Sequence, residues 1–196
     1  MDIPIEVQHI QTAWRGHEQF AMWLVQRLQP NVTVDLGVDL GYSMFSLATP
    51  KIGTVYGVDH FQGDEHAGFK NTYDFVVGTK SILEEKYGID NIQVIQGDFT
   101  EVAQTWTQSI DILHIDGFHI YESAKKDFHH WLPHLQENGV MIMHDVVSYP
   151  DVKRVYDESN LYRCYFSHSA GLGVLSRNKE LIEEIAGLYN LTFEDA

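Results

Sequence analysis

Short runs of β-branched and aliphatic residues alternate along this chain with longer stretches whose apolar positions recur every three or four residues. The first helical stretch covers residues 18–29, where Phe20, Trp23, Leu24 and Leu28 share one face and Pro30-Asn31 ends it. A strand over 32–36, a glycine turn and a helix over 43–49 follow. The pattern then predicts a strand at 54–59, a long helix at 73–87 closed by Gly88, and a strand at 92–96. Next come a short helix at 99–106, a strand at 110–116, a helix from about 120 to 131 and a strand at 139–144. Two final strands, 162–167 and 173–176, are joined through His168-Ser169-Ala170-Gly171. That connection is too short for a crossover helix, so the pair forms an antiparallel hairpin. The expected architecture is α/β: a mostly parallel seven-stranded sheet with an antiparallel last strand and helices on both faces. No repeat, low-complexity tract or Pro/Gly/Ser linker interrupts the alternation. One domain over 1–196 is therefore expected, with a helical segment at 1–30, a core at 31–178 and a C-terminal helix at 179–196.

Composition narrows the setting. The 196 residues are 44% hydrophobic and 12% aromatic, values of a globular chain. No stretch reaches the roughly 20 apolar residues that cross a bilayer, and Met1-Asp2-Ile3-Pro4 lacks the start of a secretory signal. Cys164 is the single cysteine, which excludes an internal disulfide framework and points to a reducing, cytoplasmic setting. The formal net charge of -15 repels phosphate backbones, so neither nucleic acid nor an anionic membrane is expected as a partner. The apolar first helix with Trp23 leaves a homodimer as an expectation.

Candidate chemistry gathers at the strand ends, where open α/β sheets bind ligands. Those ends read Asp35-Leu36-Gly37, Asp59-His60, Gly97-Asp98, Asp116-Gly117 and His144-Asp145. One such aspartate is usually a turn former or helix cap; five acidic or histidine ends on one edge point to a site. The turn Val34-Asp35-Leu36-Gly37-Val38-Asp39-Leu40-Gly41 admits a close approach of backbone to ligand, but a G-x-G-x-x-G dinucleotide pattern cannot be laid on it. Asp59, about 20 residues further on, has the position of a carboxylate that grips ribose hydroxyls. Asp98-Phe99 supplies an acceptor and a ring for an adenine, although the pair also reads as a helix cap and a core aromatic.

The order Asp35-x-Gly37-x-x-x-Gly41, Asp59, Gly97-Asp98 and strand-ending Asp116 resembles the class I S-adenosylmethionine-dependent methyltransferases, whose Rossmann-like sheet also carries an antiparallel last strand. The block from Leu113-His114-Ile115-Asp116-Gly117-Phe118-His119 through Tyr121-Glu122, Asp127, Trp131-Leu132-Pro133 and His144-Asp145 is similar to the small metal-assisted O-methyltransferases, among them macrolide-sugar and glycan-associated members. Val58 to Gly68 and Gly171-Leu172-Gly173-Val174 resemble the glycan-associated group. The resemblance implies S-adenosylmethionine as donor, with Asp35, Gly37, Gly41, Ser43, Asp59, His60, Asp98, Phe99 and Asp116 in its binding set. Asp39 stands where many relatives have a middle glycine; it would meet the donor's ammonium group or point to solvent.

The resemblance also implies a divalent metal, Mg, Mn or another ion, on Asp116, His144 and Asp145. Here His144-Asp145 replaces an acidic pair, and neighbours in a strand point to opposite faces, so both ligate only where the strand has ended or bulged. His119, three residues beyond Asp116, is suited to accept a proton as general base. His66 and His168 are candidates to touch the acceptor, whereas His129, His130 and His134 read as surface or packing residues. The expected reaction is O-methylation of a hydroxyl on a sugar, glycan or other small molecule. The rivals are a non-catalytic donor-binding module in a glycan pathway and a metal-dependent hydrolase.

Overall fold

The structure, a computed structural model, describes residues 2–65 and 68–196. The first half runs α1 (Ile5–Gln8), α2 (Glu18–Leu28), β1 (Val32–Leu36), α3 (Tyr42–Ala48), β2 (Thr54–Asp59), α4 (Tyr73–Tyr87), β3 (Ile92–Gln96) and α5 (Phe99–Thr105). The second half runs β4 (Ile110–Ile115), α6 (Tyr121–Trp131), β5 (Leu135–His144), α7 (Pro150–Asp157), β6 (Tyr162–Phe166), β7 (Leu172–Ser176) and α8 (Lys179–Tyr189). The strands form one sheet in the order β3-β2-β1-β4-β5-β7-β6. All neighbours pair in parallel except β7, which runs antiparallel to both β5 and β6. The predicted mixed sheet and its reversed last strand are therefore present. No helix of the described residues is long and apolar enough to cross a membrane.

Strands β1 and β4 are buried on both sides because both faces of the sheet are covered. Along β5, Val140 and Ile142 join an apolar layer with α2, α3 and α8, while Met141 and Met143 join the layer under α6 and α7. Trp131 is fully buried in the second layer, and Trp23 packs edge-on against Tyr189 of α8. The strand order turns back between β1 and β4, so the crevice of the fold opens at their carboxyl ends.

Several boundaries differ from the pattern. β5 starts at Leu135 rather than 139, because Leu135 pairs with Ile110 before the register shifts and Val140 pairs with Ile112. The exposed Gln136-Glu137-Asn138 in that bulge hid the strand's first half. The helix predicted over 179–196 stops at Tyr189, where Asn190 takes a left-handed conformation and Glu194 then pairs with Arg163. Within the helical segment 1–30, a one-turn helix, α1, precedes the expected α2. α7 had no place in the pattern: it is short, and only Val152, Val155 and Tyr156 give its buried face.

Candidate active site

β1 leads into a turn of alternating left-handed residues, with Gly37 at φ 90, Asp39 at φ 45 and Gly41 at φ 91. Gly37 donates its N–H to the Val58 carbonyl (3.1 Å), and the Asp116 N–H donates to the Leu36 carbonyl (2.9 Å). These bonds lock three strand ends together, and a Cβ on Gly37 would lie 1.8 Å from the Asp116 carbonyl oxygen. Over this junction opens a cavity of about 540 Å³, within the range of small-molecule sites.

The cavity wall carries Gly37, Ser43, Asp59, His60, Asp98 and Phe99. Asp59 is held by two backbone donors, Asp39 N–H (2.9 Å) and Phe61 N–H (2.7 Å). Asp98 caps α5 through Oδ1, which accepts from Thr100 and Glu101, so the cap reading and the cavity position hold together. His60 Nδ1 accepts from the Gln62 N–H (3.0 Å). Asp39, the departure from the glycine pattern, forms an ion pair with Lys70 (2.9 Å) across the rim.

Two residues of the expected donor-binding set do not line the cavity. Gly41 lies behind it, where a Cβ would strike the Phe45 ring at 2.4 Å. Asp35 is fully buried beneath the turn, with both carboxylate oxygens taken by Ser43 Oγ–H (2.9 Å) and by His114 Nδ1. Trp14 Nε1–H donates to His114 Nε2 (3.1 Å). Indole is a donor only, so the His114 proton sits on Nδ1 and points to Asp35. The chain Trp14–His114–Asp35–Ser43 thus pins the N-terminal segment, whose residues 10–14 line one wall, to the glycine turn.

Asp116, His119, His144 and Asp145 gather in the same cavity. Ligand atoms of Asp116, His144 and Asp145 lie within 4.8 Å of one another. The strand ends at His144, and Asp145 at φ 67 turns its side chain back, so the two neighbours converge instead of facing apart. His144 Nδ1 stands 3.3 Å from both Asp116 Oδ2 and Asp145 Oδ2, while its Nε2 lies 2.9 Å from the Ser169 carbonyl. A proton on Nε2 directed at that carbonyl leaves Nδ1 to face the carboxylates, the arrangement that orients a metal-binding imidazole. His119 Nε2 is 2.7 Å from Asp145 Oδ2, and its ring stacks on Tyr149 at 4.0 Å.

Burial works to lower the two histidines, but the carboxylates outweigh it and hold His144 up at about 10 and His119 at about 9. Burial likewise opposes ionisation of Asp116 and Asp145, yet the facing imidazoles hold both carboxyls below their usual range. Two carboxylates here are neutralised by imidazole protons; a divalent cation meets the same demand, so the donor set fits one.

Sequence reasoning attached no role to Trp14, His17, His114, Asp127 or Tyr149. His17 is buried against His168 (stacked at 4.5 Å) and the edge of His144 (5.9 Å), and burial pushes it down to about 3. His168 turns to His17 and is not among the cavity's lining residues, while His129 and His130 are exposed on α6. His66 lies outside the described residues. Asp127 of α6 is 8% exposed and lines the cavity. Burial pushes its carboxyl up to about 7; nearby Lys126 opposes this and Asp98 adds to it. Between about pH 4 and pH 7 the folded chain therefore keeps a proton that the unfolded chain has released, and stability falls as pH rises. Asp127→Asn is expected to out-stabilise the parent by a margin growing across that window to a few kcal/mol, on the order given by. Thermal unfolding at pH 4, 6 and 8 reads it, and a constant margin would deny the shifted proton.

The family described as "Methyltransferase domain" matches residues 34–146, more than half of the chain. The chain is 32% identical over 202 residues to the protein y4gI of Sinorhizobium fredii, described as uncharacterized; it spans only 22% of that relative's length. Among solved structures, the O-methyltransferase TomG of Streptomyces achromogenes, in complex with SAM, superposes with a TM-score of 0.66 at 14% identity, over 89% of this chain and 90% of its own. An O-methyltransferase of Bacillus cereus in complex with SAH gives 0.62 at 16%, over 89% and 84%. CalS11, a TDP-rhamnose 3'-O-methyltransferase of calicheamicin biosynthesis, gives 0.63 at 14%, over 90% and 87%. At these identities the structural likeness is one of fold. The family match carries more: the chain belongs to the methyltransferase-domain family.

Proposed function

We propose that this methyltransferase-family chain moves the methyl group of S-adenosylmethionine to a hydroxyl oxygen of a small-molecule or glycan acceptor, assisted by a divalent cation. The observation that carries the reading is one cavity lined by two chemically different groups. A nucleoside-type set of Gly37, Asp59, Asp98 and Phe99 shares it with the Asp116, His119, His144 and Asp145 cluster. The donor in the TomG complex and the product in the Bacillus cereus complex support the first group; the sugar hydroxyl named for CalS11 supports a sugar among the acceptors. Family membership leaves the hydrolase alternative without support.

Asp59, fixed by its two backbone donors, keeps lone pairs for ribose hydroxyls, and Asp98 with Phe99 offers an acceptor and a ring face to adenine. Asp116, Asp145 and His144 Nδ1 would hold the cation, with magnesium or manganese suiting the carboxylates and manganese, iron or zinc the imidazole. When bound, the cation supplies positive charge that lowers the pKa of an acceptor hydroxyl. His119 Nε2, in its neutral form, takes the hydroxyl proton, and Asp145 and Asp116 stabilise the imidazolium that results. The oxygen attacks the methyl carbon in line; the bond to sulfur breaks and its electron pair stays on sulfur. Most of the acceleration comes from holding oxygen and methyl in contact.

Calorimetry with S-adenosylhomocysteine tests the donor, and the parent chain is expected to bind it. His119→Ala is expected to keep that affinity while turnover on a panel of sugar and phenolic acceptors falls about 10²- to 10⁴-fold, the usual contribution of a positioned base. Lack of binding by the parent overturns the donor reading. Unchanged turnover in the variant returns His119 to a structural role, and binding without turnover by the parent on any acceptor favours a donor-binding module.

A further inference from the structure

Within the polar cluster, Asp116 and Asp145 directly follow β4 and β5, and His144 ends β5. His119 has no such support: it stands in the irregular stretch between β4 and α6. An imidazole there can turn about its side-chain torsions, and the second of these is broad. A base works only with its nitrogen within reach of the proton it takes, so something has to hold the ring. Tyr149 meets that ring face to face, with centroids 4.0 Å apart and planes 14° from parallel. Tyr149 is not among the residues that line the cavity, so it backs the imidazole instead of facing a ligand.

The backing ring is itself built in. Its N–H donates to the Asp145 carbonyl (3.0 Å), which closes the turn that carries Asp145, and Pro150 opens α7 directly after it. The same turn is fastened to the β6–β7 connection, where the Val147 and Ser148 N–H groups both donate to the Ala170 carbonyl (3.0 and 3.1 Å). Asp151 Oδ2 accepts from the Tyr121 N–H (3.0 Å), and the Arg154 guanidinium lies 3.9 Å over the Tyr121 ring. The start of α7 is thereby tied to the start of α6, just beyond His119.

We propose that Tyr149 is a positioning residue for the base: its ring holds the His119 imidazole in the plane that keeps Nε2 beside Asp145. The proposal rests on the reading of His119 as the base. One flat face against another lets the imidazole slide but stops it rolling about its second torsion. Once His119 has taken the proton it is a cation over an aromatic face, which is an attractive arrangement. α7, short and unmarked in the sequence pattern, becomes the buttress of the reacting end.

The test pairs turnover of an accepted hydroxyl substrate with proton NMR of the histidine rings in the full chain. Tyr149→Ala is expected to lower kcat about 10- to 100-fold, the scale set by a misplacement of about 1 Å. KM and the affinity for S-adenosylhomocysteine should stay within about threefold, because Tyr149 lines no part of the cavity. Tyr149→Phe keeps the ring and should restore kcat to within about threefold of the parent. Tyr149→Leu fills much of the volume without a flat face, and serves where alanine fails to fold. In the parent and in Tyr149→Phe the His119 ring protons, assigned by their loss in His119→Ala, should be shifted upfield by the stacked ring; in Tyr149→Ala that shift should vanish. A loss of turnover in His119→Ala with none in folded Tyr149→Ala or Tyr149→Leu overturns the proposal alone, as does a Phe variant as slow as the Ala one. Unchanged turnover in His119→Ala overturns it together with the base reading.

Discussion

Asp116→Ala is expected to abolish methyl transfer, a loss of at least about a thousandfold, equivalent to some 4 kcal/mol of barrier. Asp116 faces both histidines of the polar cluster: its Oδ2 is 3.3 Å from His144 Nδ1 and its Oδ1 is 3.8 Å from His119 Nε2. Removing it takes away one of two carboxylates proposed for the cation and half of the charge that stabilises the His119 imidazolium. Excess EDTA should produce a comparable loss in the parent chain, restored by adding back Mg or Mn. The measurement is turnover with an accepted hydroxyl substrate, paired with calorimetry of S-adenosylhomocysteine. Because Asp59, Asp98 and Phe99 stay in place, donor binding should change less than turnover. Full turnover in EDTA would remove the cation from the mechanism; full turnover in Asp116→Ala would remove the cluster.

Gly37→Ala is expected to damage fold and site together. The residue sits at φ 90, outside the region open to alanine, and its Cβ would lie 1.8 Å from the Asp116 carbonyl oxygen. Backbone cannot swing aside as a side chain does, so β1 and β4 would have to part where the Leu36 and Asp116 groups are bonded. Strain and overpacking together set a cost of about 3–5 kcal/mol, or roughly 10 °C in melting temperature for a chain of this size. Gly187→Ala and Gly78→Ala are the matched controls. Both lie within helices, and a Cβ there meets nothing within 4 Å, so they should hold or slightly raise stability. Equal melting temperatures for Gly37→Ala and the controls would contradict the close approach of β1 and β4.

Much of this was legible in the residues because local physics writes itself in short periods. Strands β1, β2 and β3 and helix α4 match the expected bounds because their apolar spacing and flanking turn residues are unambiguous. The hairpin of β6 and β7 followed from a linker too short to cross the sheet. Asp116, His144 and Asp145 converge because the left-handed φ of Asp145 turns its side chain back beside His144, a backbone angle for which the amino-acid type offers only a weak preference. α7 and the first half of β5 were missed because three apolar residues in one case and a bulge in the other leave too little period to read.

The alternation of strands and helices, the reversed last strand, and an edge of acidic and histidine strand ends are legible along the chain, because they depend on residues within a few positions of each other. Which of the acids line the cavity is fixed by long-range packing. Asp35 and Asp116 look alike as aspartates near strand ends, yet Asp35 is buried behind the turn by partners at separations of 8 and 79 residues. Asp127 looks like an ordinary polar position on a helix, yet it packs against Gly117 and lines the cavity. Trp14 reaches across 100 residues to set the proton on His114. A side chain's charge state and direction follow from what surrounds it, and those surroundings come from segments that meet only when the sheet closes its layers.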